Sequence, residues 1–138
     1  MVKVPADYIQ RNELSERGGY LITEQLLQLA QPPGALMFQS DCMAIGAYRK
    51  LYELDKTPGR DLAISGGVLA GDLPEYLAPR LTGFMLDAYA LGQRLAQALL
   101  AQFPDLAAAY GAAREPCVWP LTLRERDSDA IPFPSQGR

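Results

Sequence analysis

The chain has 138 residues, 49% hydrophobic and 21% charged, which fits one globular domain and argues against wholesale disorder. With 13 basic and 16 acidic residues the net charge is −3, so the chain itself has no positive footprint for nucleic acid. It contains no histidine, which removes imidazole acid–base catalysis, Ser-His-Asp and Cys-His pairs, and histidine-containing metal sites.

Met1 to Pro5 alternates apolar and polar residues like a short edge strand, and Ala6 to Glu13 reads as a loop. Ser15 is placed to cap a helix in which Tyr20, Ile22, Leu26, Leu27 and Ala30 recur near helical spacing. Gly18 and Gly19 weaken its first turn, and Pro32, Pro33 and Gly34 stop it. Ala35 to Phe38 is a short apolar run of the kind buried on both faces of a parallel sheet. Asp41 then stands as N-cap of a helix from Cys42 to about Leu54. Its core side is Ala44, Ala47, Tyr48 and Leu51, and Arg49, Lys50 and Glu53 lie on a solvated face. Asp55 to Arg60 is a Pro-Gly turn, and Leu62 to Ser65 is a second buried strand ended by Gly66 and Gly67.

Gly66 to Pro79 reads as irregular, and Arg80 to Phe84 as a short extended piece. Asp87 starts the strongest helix, with Leu91, Leu95 and Leu99 along one side. Ala107 to Ala113 is a small-residue turn or helix end. Cys117 to Leu123 is a last strand, confined to an edge because Pro120 cannot donate to a ladder. Asp127 and Asp129 read as a solvated pair, and residues 129–138 as a flexible tail. The alternation of strands and helices predicts an α/β fold, a mostly parallel sheet with helices on both faces. The Ala35–Phe38 and Leu62–Ser65 strands are expected to be parallel, adjacent and central.

In open parallel sheets, ligands sit at the carboxyl ends of strands. Two such ends are polar or glycine-rich here: Gln39-Ser40-Asp41, and Gly66-Gly67 reaching on to Asp72. Asp41 serves equally as a helix cap. Gly66-Gly67 matches neither a phosphate loop nor a dinucleotide fingerprint. Cys42 and Cys117 are too few for a disulfide framework or a zinc site and read as reduced, packed thiols. No catalytic constellation, metal site or cofactor is predicted. Leu95 to Leu106 is too short to span a bilayer and the chain start lacks a signal-peptide pattern, so a cytoplasmic chain without a membrane partner is expected.

An ordered series of motifs resembles the last part of the effector-binding domain of lactose-repressor/galactose-repressor family regulators, whose fold is that of periplasmic sugar-binding proteins. Gly19-Tyr20 opens a helix ending in Leu26-Leu27, Pro33-Gly34-Ala35 leads into a strand, and Ser40 to Ala47 (SDCMAIGA) is similar to Asn-Asp-x-Met-Ala-x-Gly-Ala. Pro58 and Asp61 precede the strand to Gly66, Pro79-Arg80-Leu81-Thr82 is similar to Pro-x-Leu-Thr, and Leu91-Gly92 precedes Leu99-Leu100. Pro120, Leu123, Arg126 and Ser128 match a closing Pro-x-x-Leu-x-x-Arg-x-Ser. Two departures stand out. Ser40 replaces the usual Asn, and Gly67-Val68-Leu69 replaces Phe/Tyr-Asp-Asp, with no carboxylate until Asp72. They leave open a less polar effector, or none, in place of a sugar.

The resemblance implies no enzyme but the C-terminal lobe of an effector domain (residues 1–128), a fragment whose DNA-binding domain and other lobe lie elsewhere. Leu14, Ser40, Asp41, Gly67 and Asp72 are this lobe's expected share of an inter-lobe cleft for a sugar-like or other small effector. The helix Leu91 to Leu100 is expected to face the other lobe. On the Cys42–Leu54 helix, Ile45, Tyr48, Arg49 and Tyr52 share a second face. With Leu73, Tyr76 and Leu77 they form the expected homodimer interface, as the resemblance also implies. A lobe of a transport or sensor sugar-binding protein, and a small α/β enzyme using Ser40 or Cys42, are the other readings.

Overall fold

The computed structural model describes residues 3–69, 71–110 and 118–131. After a 3-10 turn at Ala6–Tyr8 come α1 (Glu16–Leu27), β1 (Ala35–Met37), α2 (Asp41–Glu53), β2 (Ala63–Leu69) and α3 (Leu73–Tyr76). β3 (Thr82–Met85), α4 (Ala88–Leu100), α5 (Pro104–Tyr110) and β4 (Thr122–Arg124) complete the chain. The sheet runs β1-β2-β3-β4, with the first two pairings parallel and β3–β4 antiparallel. Residues 3–5 form no strand. Cys117 lies outside the described residues, as do most of the expected tail and the end of the Ala107–Ala113 segment.

β1 and β2 are parallel neighbours, as expected, and β2 is central. β1 is not: it ends the sheet. Its burial alternates, with Leu36 in the core and Met37 70% exposed, so the apolar run covers one face rather than two. β2 also runs four residues past its expected end. Gly66 and Gly67 continue the strand through a register shift toward β3 between Ser65 and Val68, and on the β1 side a side chain at Gly67 would strike the Gln39 carbonyl. The pair marks a close backbone approach inside a strand.

The core joins Ile22 and Leu26 of α1, Leu36 and Phe38 at β1, Ala44, Ala47 and Leu51 of α2, Ile64 of β2 and Leu81. Leu51, Ile64 and Leu81 are fully buried, each contributing about 1.5–3 kcal/mol. Ser15 caps α1 as predicted, its Oγ accepting from the Gly18 N–H at 3.0 Å. Gly19 is buried against Met43, and Gly46 lies where a side chain would meet the Glu16 carbonyl, so these glycines let α1 and α2 touch along their backbones. Lys50, expected on a solvated face, closes the same contact: its Nζ donates to Glu24 Oε1 at 2.6 Å and lies over the Tyr20 ring.

A C-terminal strap fastens the sheet. Ser128 is fully buried; its Oγ donates to the Ile64 carbonyl at 2.6 Å and accepts from the Thr82 N–H at 2.9 Å. Arg80 pairs with Asp127, Thr82 donates to Asp129, and Arg126 donates to the Leu81 carbonyl and to Glu75 of α3. Asp127 and Asp129 are therefore structural anchors, not a solvated pair. α4 begins at Asp87 as expected, its Oδ1 accepting from the Ala90 N–H, yet none of its residues is buried. Tyr89, Leu95 and Leu99 are exposed.

Candidate functional site

The carboxyl ends of β1 and β2 come together as predicted. The Val68 N–H donates to the Gln39 carbonyl at 3.2 Å, and Ser40 and Val68 form a parallel bridge, so the two strand ends lie side by side. Gly67 permits this approach. β1 then turns directly into α2, with Ser40 rather than Asp41 as N-cap. The Ser40 hydroxyl caps no helix N–H and instead hydrogen-bonds Cys42 Sγ at 3.0 Å. Asp41, the first helical residue, accepts from the Cys42 N–H through Oδ1 at 2.8 Å. Its charge suits the positive end of the α2 dipole.

Leu14 joins from the α1 side: its carbonyl receives Cys42 Sγ at 3.7 Å, and its side chain is exposed. Leu14, Ser40 and Asp41 thus all contact Cys42, and Gly67 lies against Gln39 next to Ser40. Val68 and Cys42 belong with them, and the sequence signalled both only as neighbours of polar positions. Asp72 is different. It lies exposed before α3, caps nothing with its side chain, and no hydrogen bond among the described residues ties it to the other four. The strand ends thus bring the Ser40 hydroxyl, the Cys42 thiol and the Asp41 carboxylate together, next to the exposed residues Leu14 and Val68. Among the described residues no group of three or more Cys, Asp or Glu could hold a metal ion, and no helix is long and apolar enough to cross a membrane.

The expected dimer residues divide. Tyr52 and Tyr76 are 76% and 83% exposed, Leu73 is exposed, and Arg49 lies 6.0 Å from the Tyr52 ring centre. Tyr48 and Leu77 pack partly on the core, and Tyr48 donates to the Pro79 carbonyl at 2.8 Å. Ile45 is half-buried. Burial pushes the Tyr48 hydroxyl up to about 12.

A groove of about 1090 Å³ runs along the outer side of β1, reaching Gln39 but none of the five predicted site residues. This groove and the polar strand ends are separate features.

The periplasmic binding protein-like domain family matches residues 2–128. The HTH-type transcriptional repressor CytR of Escherichia coli K12 is 33% identical over 101 residues, covering 73% of this chain and 29% of its own length. The chain thus spans less than a third of the curated relatives it matches. A LacI family transcriptional regulator from Enterococcus faecium, solved with bound ribose, is 33% identical with a TM-score of 0.71, covering 86% of this chain and 41% of its own. The dimeric lac repressor with an 11-residue C-terminal deletion is 26% identical with a TM-score of 0.73, covering 86% and 42%. With the motif series running from Gly19 to Ser128 and the parallel sheet ending in a shared polar rim, the chain belongs to the periplasmic binding protein-like domain family, as part of the effector-binding domain of a lactose-repressor-type regulator.

Proposed function

We propose that these residues are the effector-sensing and dimerising part of a repressor: they form one wall of a cleft for a small molecule, and a second lobe forms the other. The observation that carries this reading is the meeting of Leu14, Ser40, Asp41 and Gly67 at adjacent strand ends. Ser40 Oγ and the Asp41 carboxylate supply the hydrogen bonds, Leu14 and Val68 the apolar contact, and Asp72 a carboxylate from the following loop. A ligand that fits one lobe arrangement better than another shifts the population between DNA-binding and released forms. DNA is contacted through a domain outside these residues, and the chain performs no reaction. Two copies pair through Ile45, Tyr48, Arg49 and Tyr52 with Leu73, Tyr76 and Leu77, a patch whose exposed tyrosines and arginine have the composition of an interface core.

Affinity for the lobe alone is weak, because half of the cleft is not preassembled. Titrating the 15N-labelled chain with ribose and a panel of free nucleobases tests the reading. It requires amide shifts centred on Ser40, Cys42 and Gly67, saturating in the millimolar range. Shifts confined to the β1 groove, or none with any of these compounds, defeat it.

A further inference from the structure

The hydrogen bonds around Cys42 have a direction. Its Sγ lies 3.7 Å from the Leu14 carbonyl, which can only accept, so the single thiol proton goes to Leu14. Sγ also lies 3.0 Å from Ser40 Oγ. With the thiol proton committed, that second bond is made by the Ser40 hydroxyl donating to sulfur. Ser40 Oγ therefore retains lone pairs and has no proton left to offer. Asp41 behaves alike: Oδ1 accepts from the Cys42 N–H at 2.8 Å, and among the described residues no cation pairs with the carboxylate. The amino end of α2 would by itself favour an anion, but the Asp41 carboxylate already stands on it. Val68 supplies the apolar part. It bridges Ser40 in parallel register, which brings the two side chains out on the same side of the sheet, and it is exposed. Leu14, linked through Cys42, is exposed as well.

We infer that Cys42 is a positioning residue of the effector site. By accepting from Ser40 and donating to Leu14, it leaves this wall with side chains that accept hydrogen bonds and donate none. The wall then selects a neutral or cationic ligand that carries an amine or hydroxyl on an apolar body. A ligand edge that only accepts, a carboxylate or phosphate above all, meets lone pair against lone pair and leaves both sides unpaired. The inference rests on the effector reading, since it names what that cleft admits.

Two neutral compounds of similar size separate the cases on the whole chain: aniline, whose amino group donates, and benzonitrile, whose nitrogen only accepts. Titration of the 15N-labelled chain, read at Ser40, Cys42 and Gly67, is expected to show aniline binding about tenfold tighter or more. Cys42→Ala frees the Ser40 hydroxyl to donate, so that preference is expected to fall below about threefold. A merely structural loss would weaken both compounds alike and leave their ratio unchanged. A Cys117→Ser variant, in which Cys42 is the one remaining thiol, reports the direction without any ligand. Its S–H stretch is expected at the lowered frequency of a donating thiol, and this measurement decides the matter if Cys42→Ala does not fold. A free-thiol frequency overturns the inference whatever binds. So does benzonitrile binding as tightly as aniline, or a preference that Cys42→Ala leaves intact. If neither compound binds while ribose or a nucleobase shifts the same amides, the inference falls and the effector reading stands. If those fail as well, the effector reading falls with it.

Discussion

Replacing Ser128 by Ala removes one oxygen from a place where nothing can substitute for it. Its Oγ is the donor to the Ile64 carbonyl of the central strand and the acceptor for the Thr82 N–H of β3, and the residue is wholly buried. The orphaned N–H has a single bonding direction and costs about 1–3 kcal/mol; the carbonyl keeps a second lone pair, and its share falls at the low end of that range. The sum is about 2–4 kcal/mol. For a chain of this size each kcal/mol moves the melting temperature by about 3–5 °C, so a fall of about 6–20 °C is expected. Guanidinium titration should show a lower midpoint with an unchanged slope, because the surface exposed on unfolding is the same. The loss should also speed exchange at the Thr82 amide. A melting temperature within about 3 °C of the unmodified chain would refute the reasoning, and would mean that the strap decorates a sheet already closed.

Gly46→Ala gains about 1 kcal/mol of helix propensity but drives a methyl into the Glu16 carbonyl, so a net loss of about 1–3 kcal/mol is expected by denaturant titration; a stabilised variant contradicts the close contact. The guanidinium groups of Arg126 and Arg80 hold the Glu75 and Asp127 carboxyls below their ordinary values of 4.5 and 3.8. Their stabilising effect is therefore present above those values and is lost as pH falls below them, and Asp127→Asn should make the acid side of the stability curve less steep. Tyr48 behaves oppositely: with its folded value near 12 against an ordinary 10.0, stability holds below 10.0 and falls between 10.0 and 12, a fall that Tyr48→Phe should abolish. Ile45→Asp with Tyr76→Asp should give a monomer by light scattering. If that double variant stays dimeric while Leu95→Asp dissociates, the interface lies on α4 instead.

The β1–α2–β2 unit was legible because its signals are local. Ala44, Ala47 and Leu51 fall on one side of a helix, and the short apolar runs around Leu36 and Ile64 are bounded by turns. What those runs do not encode is the number of neighbours a strand has. An apolar run suits a central strand, yet β1 ends the sheet among the described residues and buries only one of its faces. Edge placement says nothing against the family, which matches residues 2–128 all the same. Gly66-Gly67 misled in a related way: glycine marks both strand ends and close backbone approaches, and only the position of the Gln39 carbonyl distinguishes them. The strap was unreadable by pattern, since Ser128 meets Ile64 and Arg126 meets Glu75 across 64 and 51 residues. Its one trace was the closing Arg-x-Ser of the motif series. At the site, strand order alone gathered Ser40, Asp41 and Gly67, whereas the link from Leu14 through Cys42 depends on a loop path that no periodicity describes.

The proposed cleft and the proposed dimer face share α2, and this sharing is what an effector-sensing lobe requires. Ser40 and Asp41 form its amino end, and Ile45, Arg49 and Tyr52 lie along its outer face, so a force applied at the ligand reaches the interface within one helix. The helix is held as a rigid piece. Gly46 seats it against the α1 backbone, Lys50 clamps it to Glu24 and Tyr20, and Glu53 accepts from the Tyr20 hydroxyl. A tightly packed helix pair moves as a body rather than bending, so a small displacement at Ser40 carries to Tyr52 undiminished. The rest of the proposed dimer face is tied in through the strap: Arg126 grips Glu75 of α3, while Tyr48 of α2 reaches the Pro79 carbonyl just before β3. Weakening the Arg126–Glu75 contact should thus free α3, with Leu73 and Tyr76, from the movement of α2, leaving ligand contacts intact while uncoupling them from the partner copy.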